Sequence, residues 1–336
     1  MSPQFVDFNG DGSMDIVAGI FDGSPHVAFG DGEHWSQPVQ ILDEDGHRIV
    51  MNQFWNFDEK KWDSTDRCNA DGQTENGHLT SAWAVDYDGD GDHDLLLGDH
   101  DAGMMMLRRN NGTNAEPRFA TTNEWVHAAG EPLNLDGDVA TMRMVDWNGD
   151  GRDDLVVSSI EGVAGFGSNK AAVLVYLDEG EGDAVELGEA SVLLHVDSSA
   201  QAGPQHPSRG FYAEPFDYDG DGDLDLVVGG QAVYEPQGRE LSDEEKQKVE
   251  DLRSQIADID QQKSEFLQAL QEEAGDMSTE EGRKKHEELF LARQDEYSAF
   301  WEKQRPLQEQ LGELVPGTKR ETFVWLYENV TGSSDR

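Results

Sequence analysis

Cysteine, basic residues and long apolar runs are scarce in this 336-residue sequence. Its single cysteine, Cys68, excludes a disulfide within the chain and lies in no recognisable catalytic motif. Only 25 Lys and Arg stand against 70 Asp and Glu, which gives a formal net charge of −45. Because phosphate contacts depend on Lys and Arg, this balance argues against nucleic acid and anionic membranes as partners. No apolar run is long enough to cross a bilayer, so we expect no membrane insertion.

Aspartate is abundant, and four stretches place it at alternate positions of a glycine-containing loop. Each stretch reads D-x-[D/N]-G-D-G-x-x-D and runs into a short apolar segment. Oxygens from the side chains at positions 1, 3, 5 and 9, and from the backbone carbonyl at position 7, can converge on one point because glycine permits the curl. The candidate metal ligands are Asp7, Asn9, Asp11, Ser13 and Asp15 in loop 1; Asp86, Asp88, Asp90, Asp92 and Asp94 in loop 2; Asp146, Asn148, Asp150, Arg152 and Asp154 in loop 3; and Asp217, Asp219, Asp221, Asp223 and Asp225 in loop 4.

Converging oxygens indicate a hard cation. Ca²⁺ takes about six to eight oxygen ligands and Mg²⁺ rarely uses an all-protein cage, so we predict up to four Ca²⁺ ions. An EF-hand would need a glutamate at position 12, and that position is apolar in all four loops. The alternative is an acidic turn that binds nothing, in which the carboxylates of each loop would repel one another. Asn9 and Ser13 reduce the charge of loop 1, which we expect to be the weakest site.

The four loops begin 60–79 residues apart, and segments of strand length surround them. One apolar segment precedes each loop, a second follows it directly, and a third follows after a turn. A period of this size, with strands rather than helices, predicts an all-β fold of β-propeller blades, four of them recognisable. The predicted third strands are 26–29, 104–107, 173–177 and 323–327, and fourth strands are predicted near 118–120 and 191–194.

The repeated motif resembles that of the FG-GAP/VCBS repeat proteins, whose calcium-loop blades also build the propeller of the integrin α-subunit. The resemblance covers residues 1–45, 80–230 and 318–332, and the motif is specific because it recurs. It implies a calcium-binding propeller that acts as an extracellular binding, adhesion or interaction module, with a protein or polysaccharide ligand. Integrin-type propellers have seven blades, whereas four copies of the motif are visible here.

Residues 240–316 separate the fourth loop from its predicted third strand, and their pattern is helical. Ser242 and Glu245 form a capping-box pattern, and apolar positions then recur at spacings of three and four up to Gly275, with Lys263 inside the seam. Pro306 should kink or break the returning helix.

We therefore predict three segments: blades in 1–239, an antiparallel helical hairpin (a coiled coil) in 240–316, and a returning strand in 317–336. Successive connections of an antiparallel sheet lie at opposite ends, so the hairpin should leave from the face opposite the loops. It is either a partner-docking arm or a cover folded back on the blades.

Aromatic and histidine residues mark a second region of interest. The segment from Phe54 to Phe57, with Trp62, either stacks on a sugar ring or plugs a blade edge. His78 and His100 are expected on the face opposite the loops, as part of a site or as ordinary polar residues. No G-x-S-x-G, H-E-x-x-H or phosphate loop is present, so we assign no catalytic residue. The alternative function is a polysaccharide-acting enzyme with its site on that face.

The location follows from the type of loop. Calcium loops of roughly this kind suit millimolar extracellular calcium better than cytosolic levels. We expect a secreted, periplasmic or cell-surface protein whose targeting segment lies outside this chain.

Overall fold

The chain divides into two compact units in a computed structural model, which describes residues 3–69, 77–101, 103–135, 138–160, 171–195, 203, 206–277 and 279–330. The first unit comprises Met1–Ser199, Pro204–Val233 and Arg320–Arg336, and the second comprises Ala200–Gly203 and Tyr234–Lys319. Among the described residues, the first unit is built mainly of antiparallel β-sheets and the second contains three α-helices.

Four sheets and one hairpin account for the strands of the described residues. Sheet 1 contains β1 (Gln4–Val6), β2 (Asp15–Gly19), β3 (Pro25–Ala28) and β4 (Val39–Gln40), and the hairpin contains β5 (Gln53–Asn56) and β6 (Lys61–Ser64). Sheet 2 contains β7 (Leu79–Val85), β8 (Asp94–Asp99), β9 (Met105–Arg108) and β10 (Glu124–Trp125). Sheet 3 contains β11 (His127–Ala128), β12 (Glu131–Pro132), β13 (Val139–Val145), β14 (Asp154–Ser159), β15 (Ala172–Asp178) and β16 (Leu187–His195). Sheet 4 contains β17 (Arg209–Phe216), β18 (Asp225–Tyr234) and β19 (Lys319–Tyr327).

Each sheet repeats the strand order that the sequence predicts. An acidic loop joins β1 to β2, β7 to β8, β13 to β14 and β17 to β18, which we call the first and second strands of each repeat. The second strand pairs antiparallel with a third that overlaps the predicted segment. The predicted fourth strand at 191–194 lies in β16, but the one at 118–120 is wrong. Sheet 2 uses Glu124–Trp125 instead, and Phe119 makes isolated bridges to Asp43 and Asn110. Phe119 is 1% exposed and stacks near Phe8, so burial of its ring, not a ladder, fixes this segment.

Inner and terminal sheets differ in burial. Every residue of β8 and β14 is buried, whereas β2 and β18 contain alternating buried and half-buried residues. Because successive side chains of a strand point to opposite faces, the inner sheets are covered on both faces and the terminal sheets on one. Three hydrophobic clusters fill the spaces between successive sheets, and burying each Leu or Val there contributes about 1.5–3 kcal/mol. The clusters include Val17 and Leu97 between sheets 1 and 2, Leu96 and Val157 between sheets 2 and 3, and Val156 and Val228 between sheets 3 and 4.

The second unit contains α1 (Asp243–Ala274), α2 (Glu280–Ala292) and α3 (Gln294–Leu314). The capping box is confirmed, since the Ser242 hydroxyl accepts the Glu245 amide and the Glu245 carboxylate accepts the Ser242 amide. Gly275, with φ of +94°, ends α1 as predicted. Pro306 does not break the returning helix, because it lies inside α3, and the returning segment is interrupted at Arg293 instead. The alternative, a kink of α3 at Pro306, stays a prediction.

Lys263 is buried in the helical seam, as its position in the apolar repeat implies. Its ammonium group donates to the Gln304 side chain at 2.6 Å and lies 2.7 Å from an Asp260 carboxylate oxygen. The same group lies 4.0 Å from the centre of the Trp301 ring. These contacts, with Phe266 against Phe300, show α3 running antiparallel to α1. No helix among the described residues is both long and apolar enough to cross a membrane.

Candidate metal centres

Each acidic loop is a tight turn whose glycines adopt a backbone conformation that other residues avoid. In loop 1, Gly10 and Gly12 have φ of +72° and +90°, and the matching pairs of the other three loops are also positive. The position-1 aspartate accepts backbone amides inside this curl. Both carboxylate oxygens of Asp7 do so, from Asp11 at 3.0 Å and Gly12 at 2.9 Å.

The position-9 aspartate is a structural fastener as well as a candidate ligand. Asp15, Asp94, Asp154 and Asp225 are at most 2% exposed. One oxygen of each accepts a backbone N–H just after or at the end of the third strand, which ties the loop to the sheet. This role was missed by the sequence reasoning, because the donor lies 15–104 residues away. The donors are Gly30 at 2.8 Å, Asn110 at 2.7 Å, Asp178 at 2.7 Å and Asn329 at 2.8 Å.

Loops 2 and 4 bring carboxylates together. Oxygens of Asp86, Asp88 and Asp90 lie within 4.8 Å of one another, and so do those of Asp217, Asp219 and Asp225. In both loops the glycine amide at position 4 bonds to the position-1 aspartate. These two groups of three could hold a metal ion.

The position-7 side chains add a further sign of a cation in the same two loops. Asp92 Oδ1 and Asp223 Oδ1 are buried and have no hydrogen-bond partner among the described residues. A buried carboxylate oxygen without a partner is costly, and a cation is the natural partner for it. The sequence reasoning counted position 7 only for its backbone carbonyl, so it missed these side chains. The donor set therefore fits a hard, oxygen-binding ion.

In loop 2, the burial and crowding of carboxylates raise the pKa values of two aspartates. Burial, followed by the charges of Asp90, Asp88 and Asp86, raises the pKa of Asp92 from 3.8 to about 6. Burial also raises the pKa of Asp94 to about 6, although the Asn110 amide opposes this shift. Carboxylates that resist ionisation in the absence of a counter-ion are the groups that a cation stabilises most.

In loops 1 and 3, the side chains at positions 3 and 5 are hydrogen-bonded to each other. The side-chain amides of Asn9 and Asn148 donate to the position-5 aspartates Asp11 and Asp150 at 3.0 and 2.9 Å. In loop 3, the Arg152 guanidinium turns away and bonds to Asp178 at 2.8 Å. Among the described residues, no group of three converging acidic oxygens is found in either loop. Ligation by the residues predicted in these loops stays a prediction.

A basic side chain from outside loop 2, that of Arg109 just after β9, pairs with carboxylates of this loop. Arg109 Nη1 lies 2.9 Å from Asp88 Oδ2 and 3.4 Å from Asp94 Oδ2. The residues that correspond to Arg109 are Phe29, Leu177 and Glu328. A guanidinium therefore neutralises part of the charge of loop 2, whereas loop 4 has no equivalent in its sequence.

A second site of interest is a cluster of aromatic and histidine side chains, the aromatic cluster, which joins the β5–β6 hairpin to residues near the ends of other strands. Trp62 packs edge-on against Phe21, Trp55 and His78, with ring centres 5.5, 5.7 and 4.7 Å apart. The His78 ring contacts the Phe21 carbonyl at 3.0 Å and stands 6.2 Å from the ring of His100. Phe21 is 61% exposed and Trp62 is 42% exposed, so the aromatic cluster presents an apolar surface to solvent.

The comparison with known proteins agrees with the repeated loops. A model of the FG-GAP-like repeat matches residues 86–157 and, overlapping them, 146–228. These segments begin at the first aspartates of loops 2 and 3, and contain loops 2, 3 and 4. No curated protein matches the chain. The match over residues 86–228 supports the resemblance of these repeats to the FG-GAP/VCBS repeat family.

Proposed function

We propose that this chain is a calcium-binding β-propeller of the FG-GAP/VCBS type that serves as an extracellular binding or adhesion module. The observation that carries the proposal is the pair of buried, unpartnered oxygens on Asp92 and Asp223, each beside converging aspartates. An oxygen-only donor set favours Ca²⁺, since Mg²⁺ retains much of its water and Zn²⁺ is usually bound by nitrogen or sulfur. Bound calcium would hold each loop closed and so stabilise the sheets that the loops join.

The four sheets would be successive blades. Each has its acidic loop between the first and second strands, and each packs on the next through an apolar cluster. Antiparallel blades arranged around an axis are the arrangement that FG-GAP-like repeats imply. FG-GAP repeats are typical of extracellular proteins, where millimolar calcium would fill such loops.

Calcium binding is tested by thermal unfolding with and without chelation. We expect calcium to raise Tm, because a ligand at about 100 times its Kd adds about 2.7 kcal/mol per site. The Asp90→Asn, Asp221→Asn double variant should lose most of this response. Asp45→Asn, which changes one carboxylate outside the loops whose side chain is 62% exposed, is the control. An identical Tm with calcium and with EDTA at low ionic strength would reject the calcium proposal.

The aromatic cluster is the surface that best supports a binding role. Large exposed rings are uncommon on a protein without a partner, and Trp and Phe faces stack on sugar rings. His100 and Asp101, with Nδ1 and Oδ1 3.3 Å apart, supply polar groups beside the rings. We propose a neutral polysaccharide as ligand here, because the strongly acidic chain would repel a polyanion.

Affinity electrophoresis in gels containing neutral glycans tests this surface. Retardation that Trp62→Ala abolishes and Trp301→Ala does not would support it; Trp301 lies in the second unit and is 46% exposed. Equal mobility in every gel would reject a glycan-binding role for the cluster. The helical hairpin would then be the remaining candidate for a docking arm, and deleting 240–316 should abolish capture of its protein partner.

A polysaccharide-acting enzyme is the second candidate, favoured by the proximity of His78 and His100 to each other and of Asp101 to His100. Release of reducing ends from a glycan panel measures it. Activity lost in the His100→Ala variant, with binding retained, would replace the binding-module proposal with an enzymatic one.

A further inference from the structure

Four asparagines in this chain are followed directly by glycine, and two of them occupy position 3 of an acidic loop. Asn9 and Asn148 precede the position-4 glycines of loops 1 and 3, Asn111 lies in the turn after β9, and Asn76 lies outside the described residues. Glycine has no side chain to shield its backbone nitrogen, so that nitrogen can approach the side-chain carbonyl carbon of the preceding asparagine. Attack at that carbon expels ammonia, unless the fold holds the two groups apart.

The position-4 glycine amide is hydrogen-bonded in loops 2 and 4. There it donates to the position-1 aspartate, from Gly89 to Asp86 at 2.9 Å and from Gly220 to Asp217 at 2.7 Å. Position 3 is aspartate in both of these loops, so they contain no asparagine that could react.

In loops 1 and 3 the position-1 aspartate bonds to the amides at positions 5 and 6 instead. Asp146 accepts the Asp150 amide at 2.9 Å and the Gly151 amide at 2.8 Å, and the position-1 aspartate of loop 1 does the same. The amides of Gly149 and Gly10 therefore have no hydrogen-bond partner within the described part of the chain, and both glycines are exposed. The nitrogen that would attack the asparagine is held by no other group in these two loops.

The same loops also polarise the asparagine side-chain carbonyl. Asn148 Oδ1 accepts the Asp150 amide at 2.9 Å, and Asn9 Oδ1 accepts the Asp11 amide at 2.9 Å. Negative charge develops on this oxygen when a nucleophile attacks the carbonyl carbon, and a donor already in place stabilises that charge. Loops 1 and 3 thus combine an unbonded nucleophile with an activated carbonyl.

Asn111 offers a comparison within the same chain, because its glycine amide is occupied. The Gly112 amide donates to Asn110 Oδ1 at 3.0 Å, although Asn111 is exposed, as Asn148 is. Attack by the Gly112 nitrogen would require this hydrogen bond to break first. The state of the glycine amide, and not exposure, distinguishes the two sites.

We propose that Asn148 and Asn9 are sites of spontaneous deamidation, which gives their loops the aspartate found at position 3 of loops 2 and 4. In loop 3, the Gly149 nitrogen bonds to the side-chain carbonyl carbon of Asn148. The bond from that carbon to Nδ2 breaks, and the proton lost by the Gly149 amide leaves with ammonia. Water then opens the cyclic imide at its side-chain carbonyl, which yields aspartate, or at its main-chain carbonyl, which yields isoaspartate.

The two products should affect a loop in opposite ways. Aspartate at position 3 adds one negative charge and completes the pattern of loops 2 and 4. Isoaspartate carries the main chain through its side-chain carbon, so the loop becomes one atom longer and its oxygens lose their alternate spacing. The inference goes beyond the proposed function and does not depend on whether calcium binds.

Peptide mapping by mass spectrometry, on the full chain aged in EDTA at mildly alkaline pH, measures the reaction at each asparagine. Each rate is divided by the rate of the same site in urea, so that the effect of local sequence cancels. This ratio should be at least about fivefold higher at Asn148 than at Asn111, the factor that one net hydrogen bond contributes. Asn9 is half-buried and should fall between them. The Asn148→Asp variant supplies the standard for the aspartate product.

Changing Asn110 tests the role of the glycine amide directly. Asn110→Ala removes the acceptor of the Gly112 amide, so the ratio at Asn111 should rise towards that of Asn148. Asn110→Ser is the matched control, because its hydroxyl can still accept an amide two residues on and should keep the ratio low. Equal ratios at Asn148 and Asn111, or an Asn148 that stays intact in the folded chain, would overturn the proposal. Equal rates at Asn111 in the two variants would reject protection by the glycine amide bond.

Discussion

The two kinds of acidic loop in this chain share a sequence pattern and differ in what they leave unsatisfied. Loops 2 and 4 have aspartate at position 3, and a buried position-7 oxygen in each has no hydrogen-bond partner in the part of the chain that the structure describes. Loops 1 and 3 have asparagine there, and its amide bonds to the position-5 aspartate. The amide nitrogen of asparagine, in place of a carboxylate oxygen of aspartate, replaces repulsion between positions 3 and 5 with a hydrogen bond. We infer that loops 2 and 4 depend on an ion and that loops 1 and 3 can hold their shape without one.

The position-9 aspartates do not differ between the two kinds of loop, because in all four loops each accepts a backbone N–H at or just after the end of the third strand. Asp225→Ala should lower the free energy of unfolding by about 3 kcal/mol, since the part-buried backbone amides of Tyr218 and Asn329 lose a charged acceptor. Asp15→Ala should cost a similar amount in loop 1, where Phe8 and Gly30 are the donors.

Urea unfolding in EDTA measures both position-9 variants without calcium. Asp225→Asn, which keeps one acceptor, should be milder than Asp225→Ala. No loss of stability from either Asp225→Ala or Asp15→Ala in EDTA would contradict this role and would mean that position 9 acts through the metal alone.

Changing position 3 should convert one kind of loop into the other. Asp219→Asn removes one charge and supplies a donor for Asp221, so the calcium affinity of loop 4 should fall about tenfold, equivalent to about 1.4 kcal/mol. The reverse change, Asn148→Asp, should strengthen loop 3. Isothermal titration calorimetry follows both variants. Unchanged affinity in both would mean that position 3 does not distinguish the loops.

Arg109 should separate loop 2 from loop 4. Its guanidinium pairs with Asp88 and competes with a cation for the same oxygen. Since partly exposed ion pairs contribute about 0.2–1 kcal/mol, Arg109→Gln should raise the calcium affinity of loop 2 by about two- to fivefold. Arg118→Gln, at an exposed arginine in the segment between β9 and β10, is the control for loss of one positive charge. Equal gains from the two variants would point to net charge, with no specific role for the Asp88 pair.

The smallest expected effect is a difference between loops 1 and 2 in the pH at which one aspartate of each loop is protonated. In the metal-free protein Asp92 has a pKa near 6 instead of 3.8, whereas the Ser13 amide, with help from Asn9, lowers the pKa of Asp11. Asp92 therefore binds more protons in the folded than in the unfolded state between about pH 4 and 6. Its contribution to stability falls as pH rises through that window, and that of Asp11 is lost as pH falls below 4. Carboxyl ¹³C shifts recorded in EDTA should titrate in that order, and coincident titration would contradict it.

Local features of this fold were predictable because their causes lie within a few residues. Alternating aspartates and glycines predicted the loops, and the apolar segments after them predicted the second and third strands. The Ser242 capping box and Gly275 predicted the ends of α1. The break at Arg293 was not predictable in this way, since Pro306 is the stronger local signal and packing overrides it.

Features of the site that depend on distant partners could not be predicted from one repeat at a time. Arg109 reaches loop 2 from the far end of β9, and Asn329 reaches Asp225 across 104 positions. The burial that leaves Asp92 Oδ1 without a hydrogen-bond partner among the described residues also depends on the surrounding sheets. Gly19 looked like the end of an apolar run, and only the neighbouring sheet showed why glycine stands there: an added Cβ would lie 2.6 Å from the backbone nitrogen of Ser81 in β7.

The sequence by itself determined that four oxygen-rich turns each lead into a buried strand, because turn chemistry and strand burial are properties of short segments. Only the tertiary structure decided which loops have a buried carboxylate oxygen without a hydrogen-bond partner among the described residues, since that depends on what surrounds each carboxylate. It also decided which sheet faces are covered, because a strand's outward side chains carry no record of whether another sheet will meet them. Sheets 1 and 4 use the same repeat as sheets 2 and 3, and only their surroundings among the described residues leave β2 and β18 less buried than β8 and β14.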